Sequence, residues 1–293
     1  MRVPPQARPL AGGRLHLQHG PIDLIVHAFG AASACRDAYA AATQRFATVL
    51  DELCAELAAL RAPAGAAVQG VVARRMQVAV EPHAAAGFIT AMAAVAGSVA
   101  DEILAAMTGA ARLERAFVNN GGDIALHLTE GTVFRVGLID RPDRPGLFGT
   151  TVIRAADGIG GIATSGWGGR SFSLGIADAA TVLAATAAMA DAAATVVANA
   201  VDLPGHEAIS RVPARDIQAD SDLGARLVTR DVGPLQAAEI AHALERGAAC
   251  AEALAARGLI RAAALHCQGW TRIAGQQGCL AAPEHREVRV ADV

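Results

Sequence analysis

The chain has 293 residues, a formal net charge of −3, 53% hydrophobic residues and 3% aromatic residues. That length allows one large domain or two small ones. The near-neutral balance gives no reason to expect nucleic acid or an anionic membrane as a partner. All 25 basic residues are arginine, which removes lysine Schiff-base chemistry and a P-loop lysine from the candidate mechanisms.

Residues 14–18 and 22–29 flank His19-Gly20-Pro21 and predict a hairpin. From 31 to 60, apolar residues recur at helical spacing and the run stops just before Pro63. Residues 63–70 form a small-residue linker, and 71–80 give no decisive pattern. A second long helix is predicted over 84–107, closing at Gly109. A strand at 115–119 runs into a Gly-Gly turn, and strands 123–128 and 133–139 are joined at 129–132. Residues 140–149 read as a loop, 151–154 as a strand and 157–169 as a glycine-rich loop. Strands at 171–176 and 181–184 precede a helix at 189–200, which Asp202-Leu203-Pro204-Gly205 breaks. A last helix over 236–257, strands at 261–266 and 270–273, and a tail at 283–293 complete the chain. Antiparallel neighbours with helices in blocks predict an α+β fold, without a solenoid repeat.

The cysteines, Cys35, Cys54, Cys250, Cys267 and Cys279, are an odd and scattered set that predicts free thiols. No apolar signal segment is read at the start of the sequence, so a cytoplasmic location is expected. The apolar runs 84–100 and 177–201 carry Thr90 and Ser98, and Asp178 and Asp191, respectively. A spanning helix wants roughly 20 strongly apolar residues. Both runs therefore predict buried segments, and no membrane partner is expected.

Three segments carry the candidate chemistry. In Asn119-Asn120-Gly121-Gly122-Asp123 the glycines permit positive φ and close approach of a ligand, while a tight turn between strands explains the same residues. In Gly161-Ile162-Ala163-Thr164-Ser165-Gly166, backbone amides and hydroxyls suit a diphosphate, with Arg170 nearby and Trp167 able to stack on a flat ring. Asp191 and Thr195, four apart on a helix, share a face and offer a carboxylate and a hydroxyl to a hard cation; an acid favouring the helix dipole is the alternative. Asp178 lacks such a hydroxyl partner. The pair Glu239 and His242 has no second copy, so a solvated helix face is expected there.

These segments resemble, in order and spacing, the Asn-Ala-Gly-Gly-Asp, Gly-Ile-Ala-Thr-Ser-Gly and Ala-Asp-Ala-x-x-Thr motifs of the ApbE flavin-transferase superfamily. Residues 13–21, 118–126 and 222–233 are similar to its UPF0280 branch. The resemblance implies a single ApbE-like (T-fold-related) domain over 1–282, with antiparallel sheets and packed helices, in a homo-oligomer. It implies Mg²⁺ and FAD or another nucleotide as cofactors, and transfer of FMN through a phosphoester to Ser or Thr of a protein partner. By that likeness Asp191 and Thr195 are metal ligands. The cofactor-binding set is Asn119, Gly121, Gly122, Asp123, Gly161, Thr164, Ser165 and Gly166. In this reading Arg170 and Asp191 serve catalysis, with Arg170 stabilising charge on a phosphorylated ligand.

Ala96 stands where the superfamily has lysine, and residues 173–178 replace its His-x-x-Asp-Pro-x-x-Gly segment. A non-catalytic cofactor-binding or accessory protein of one-carbon or sulfur amino-acid metabolism is therefore carried as the second reading. An enzyme acting on another phosphorylated or pterin-like substrate is the third.

Overall fold

In the computed structural model, residues 4–139, 146–276 and 278–280 are described. In chain order they form β1 (Gln6–Pro9), β2 (Leu15–His19), β3 (Ile22–Phe29), α1 (Ala32–Ala55), α2 (Leu57–Leu60), α3 (Val71–Val80), α4 (Val95–Ala110), β4 (Arg115–Asn120), β5 (Asp123–Leu128), β6 (Val133–Ile139) and β7 (Leu147–Arg154). Then follow β8 (Gly161–Ser165), β9 (Ala179–Ala184), α5 (Ala187–Ala200), β10 (Ile209–Pro213), α6 (Ala214–Ile217), β11 (Leu227–Val232), α7 (Ala237–Ala256), β12 (Ala262–Cys267) and β13 (Trp270–Gly275).

Nine strands make one antiparallel sheet in the order β1-β2-β3-β4-β5-β8-β9-β12-β13. Two halves of the same plan lie within it. In each, a strand pair is followed by helices and a second strand pair: β2-β3, α1 to α4, β4-β5, then β8-β9, α5 to α7, β12-β13. The halves join in the sheet through two residue pairs of β5 and β8, Ile124 with Ile162 and Ala125 with Gly161. Above the sheet, α1, α4, α5 and α7 lie side by side in that order. The fold is α+β, as the strand and helix blocks predict.

The period of two along each strand sorts residues between faces. Leu17, Leu24, Val26, Ala116 and Val118 point to the helices. On the opposite face the β6-β7 hairpin packs Leu138, Phe148 and Ile153 against Leu126, Ile162 and Leu183. Alanine dominates under α5, where Ala187, Ala188, Ala190, Ala192, Ala193 and Ala194 are buried, so helix and sheet approach closely.

Several expectations from the sequence are corrected. The predicted helix over 84–107 is helical in the α sense from Val95; Glu81–Ala86 and Ala91–Ala94 are short 3₁₀ turns. Residues 71–80 are a helix, because Val72, Ala73, Met76, Ala79 and Val80 share one face. No strand forms over 171–176, where Asn199 holds the backbone at Leu174 instead. The β10-β11 ribbon carries no clear alternation and went unread. Residues 140–145 of the predicted loop and the tail at 283–293 lie outside the described residues. Ala91–Ala110 is long and apolar enough to cross a membrane by length and composition, yet 56% of its most apolar window is buried within the fold.

Candidate functional site

The glycine-rich stretch is the largest revision. Gly161–Ser165 is not a loop but strand β8, near the middle of the sheet, paired along its length with β9 from Gly161–Ala184 to Ser165–Ala180. Its amides are therefore largely spent on the sheet and do not form an open cradle. Its glycine serves packing: a Cβ on Gly161 would overlap the backbone of Thr186 and Ala187, where α5 begins, and one on Gly166 would overlap the Asp178 carbonyl. The hydroxyls remain. Thr164 is exposed, with its Oγ1 2.8 Å from that of Thr181, and Ser165 is half-buried. Trp167 is tied down, its Nε1 donating to Asp178 Oδ1 at 3.1 Å. Asp178 also accepts from the Gln268 amide at 2.6 Å, so it is a structural acid that fastens the β12-β13 turn.

The Gly-Gly segment is a two-residue hairpin turn between paired Asn120 and Asp123, with φ of +65° at Gly121 and +115° at Gly122. Asn119 Oδ1 accepts from the Gly122 amide at 2.8 Å. The segment thus takes the conformation of a tight turn between two strands. It also aims two side chains at the helix layer. Asn120 Nδ2 donates to the Ala96 carbonyl at 3.1 Å. Asp123 Oδ1 accepts from the Thr164 amide at 3.3 Å, where β8 runs on beyond the end of β5. Arg170 comes back over this turn: its Nη1 lies 3.2 Å from where a Gly121 Cβ would be.

Helix α5 supplies the facing wall. It runs antiparallel to α4 with Gly97 opposite Asp191 and Asp101 opposite Ala187. Gly97 permits the approach, since a Cβ there would overlap the Ala187 carbonyl. The two helices cap each other. Asp191 Oδ2 accepts from the Gly97 amide at 2.9 Å, at the start of α4. Asp101 accepts from the Ala187 and Ala188 amides at 3.1 and 2.9 Å, at the start of α5.

Asp123 and Asp191 therefore come from opposite layers and converge. Burial pushes the Asp123 carboxyl up to about 7, against the pull of the Thr164 amide. Asp191 is pushed well above its ordinary value, first by burial and then by the charge of Asp123, against the Gly97 and Ala96 amides. Both residues are half-buried.

Thr195 continues the α5 face one turn beyond Asp191, and Asn199 one turn beyond that. Thr195 and Asn199 line a cavity of about 40 Å³ with Phe88, Thr90, Phe172 and Asp222. The sequence reading did not single out Gly97, Asp101, Asn199 or Asp222 as site residues, and took Asn120 only as part of its Gly-Gly segment. The spacing Asp-x-x-x-Thr-x-x-x-Asn and the pair Gly97 and Asp101, each a helical repeat of four, were the available signals. Glu239 faces elsewhere: it pairs with His206 Nε2 at 3.0 Å and caps α7 through Gln236.

Among the described residues no three His, Cys, Asp or Glu side chains cluster as a metal site. The oxygen donors present still suit a hard cation: two mutually repelling carboxyls lie together, with a hydroxyl one turn on.

Residues 7–273 of the chain match a family model described as "AbpE bacteria". The chain belongs to that family. A UPF0280 protein of Methanopyrus kandleri is 38% identical over 131 residues, 44% of this chain and 48% of the relative. One from Methanococcoides burtonii is 39% identical over 127 residues, 40% and 48% of the respective chains. The matched region spans about half the length of these curated relatives. The apo crystal structure of the Pseudomonas stutzeri flavinyl transferase ApbE aligns with a TM-score of 0.44 at 13% identity, covering 94% of this chain and 96% of that one.

Proposed function

We propose that this chain is a Mg²⁺-dependent enzyme that handles a flavin or another nucleotide and acts at a phosphoester bond. It works as one domain over 1–282, in the cytoplasm and as a homo-oligomer. The observation that carries the reading is the meeting of Asp123 and Asp191 at the start of α4, with the Thr195 hydroxyl next along the same helix face. Asp191 and Thr195 would hold the cation, with Asp123 beside them. Bound there, Mg²⁺ would polarise a phosphoryl oxygen and offset charge developing at phosphorus. Arg170, poised over the Gly121-Gly122 turn, adds a guanidinium suited to phosphate, and the Thr164 and Ser165 hydroxyls offer hydrogen bonds.

Family membership supports the flavin side of this reading. Incubation with FAD and Mg²⁺ tests it: release of AMP is expected, and it should stop on chelation.

One observation favours a non-catalytic cofactor carrier in one-carbon or sulfur amino-acid metabolism. At Ala96, where the resemblance places a lysine, the chain offers only a backbone carbonyl, already bonded to Asn120. FAD binding without AMP release would establish that carrier role; absence of both binding and release would end the nucleotide reading altogether.

A further inference from the structure

The cavity beyond Thr195 is built for more than filling space. Its walls combine two phenyl rings, Phe88 and Phe172, with the polar side chains of Thr90, Thr195, Asn199 and Asp222. Some polar atoms are already spent. Thr90 Oγ1 donates to Asp222 Oδ2. Asn199 Oδ1 accepts from Ser173 Oγ at 3.2 Å and from the Leu174 amide at 2.8 Å. Three are not: Asp222 Oδ1, the Thr195 hydroxyl and the Asn199 amide nitrogen have no hydrogen-bond partner among the described residues.

The loop that brings Asp222 here is strapped across the two halves. Asp220 pairs with Arg61 at 2.9 Å, and the Arg226 guanidinium sits 3.2 Å from the centre of the Phe88 ring. The carboxylate is thus held in place, facing a volume of about 40 Å³ that admits the edge of a ring rather than a whole bicyclic system.

We propose that this cavity reads the edge of a planar heterocycle carrying adjacent N–H and NH₂ donors, the 2-amino-oxo-pyrimidine edge shared by guanine and pterins, and that Asp222 is its specificity-determining residue. The proposal deepens the nucleotide reading and rests on it, because the cavity continues the α5 face that carries Asp191 and Thr195. The charge argument selects the edge. An ionised carboxylate only accepts, through as many as about four lone pairs, of which Thr90 uses one. Two parallel N–H donors satisfy it in a charge-assisted, two-point contact. A flavin's pyrimidine edge places carbonyl oxygens on both sides of a single N–H and sets them against the same charge. The Asn199 amide remains for the ring's acceptor atoms, and the phenyl rings for its faces.

The test titrates the full-length wild-type chain, with Mg²⁺ present, with guanosine, inosine, riboflavin and a free pterin, read by calorimetry. Inosine lacks only the 2-amino group. Guanosine or the pterin should bind at least about tenfold more tightly than inosine, the expectation for one lost charge-assisted hydrogen bond, and riboflavin more weakly still. Whichever of guanosine and the pterin binds more tightly identifies the source of the edge. Asp222→Asn should erase the preference. Equal binding of guanosine, the pterin and inosine by the wild type overturns the proposal, and needs no variant to fold. A preference that survives in Asp222→Asn, or riboflavin binding that depends on Asp222, overturns it as well. AMP release from FAD by the wild type, with no preference for the amino edge, sinks this inference alone. A clear preference without phosphoester chemistry sinks only the enzyme reading.

Discussion

Asp101 and Glu102 are neighbours on α4 and live in opposite electrostatic worlds. Glu102 faces α1 and α3, where Arg45 and Arg75 meet it at 2.7 and 2.9 Å and Arg45 also grips Glu52 at 2.7 Å. Those guanidiniums outweigh burial and hold the Glu102 carboxyl below its ordinary value; the Arg45 hydrogen bond does the same for Glu52. Asp101 faces α5, where the Ala187 and Ala188 amides and the Thr186 side chain meet it, and burial pushes it up against them and against the Arg75 charge. Asp191 and Asp123 share that second condition. The difference teaches where charge has been neutralised within the fold and where it has been left wanting a partner. Glu52 and Glu102 are answered by arginine; the acids of the recess are answered chiefly by backbone dipoles and face one another.

The close crossing of α4 and α5 creates the second condition, so breaking it should have the largest effect. Gly97→Ala forces a methyl into the Ala187 carbonyl, and a loss of about 3 kcal/mol, seen as a lower urea midpoint, is expected. A variant as stable as the wild type would show that the helices can part freely.

Asp191→Ala sharpens the contrast in function. It should abolish any rise in melting temperature caused by Mg²⁺, while uncapping α4 costs about 1 kcal/mol in metal-free protein. A metal response that survives places the cation elsewhere.

The smallest effect is the pH profile of metal-free protein. Glu52 and Glu102 have lowered folded values, so their contribution is present above about pH 4.5 and is lost as pH falls through those values. Asp123 runs the other way. Its folded value is raised, so its contribution is present below about pH 3.9 and is lost as pH rises through about 7. Denaturation midpoints in chelator should therefore fall between about pH 5 and 7 and level off above that, and Asp123→Asn should flatten that arm. An unchanged decline in the variant would assign it to other groups.

Much of this was legible in the sequence because it is local. Hairpins announced by Gly-Pro or Gly-Gly, and the long helices α1 and α7, follow from turn chemistry and apolar period. The facing of Asp191 and Thr195 along one helix side was likewise a matter of spacing. What sequence concealed was contact at a distance. Gly161 looked like a loop glycine because nothing nearby shows that Ala187 will descend on it. Asp222 entered the reading only as part of a family-like segment, since its cavity exists only once residues 88–93 and 172–199 have come together around it.

The seam between the two halves of the sheet, just two residue pairs wide, has a further consequence. Asp123 belongs to one side of that join and Asp191 to the other; Phe88 and Thr90 stand across it from Thr195 and Asp222. A fragment cut at the join would own neither the recess nor the cavity. The chemistry is a property of the union, and neither parent piece holds a rudimentary copy of it.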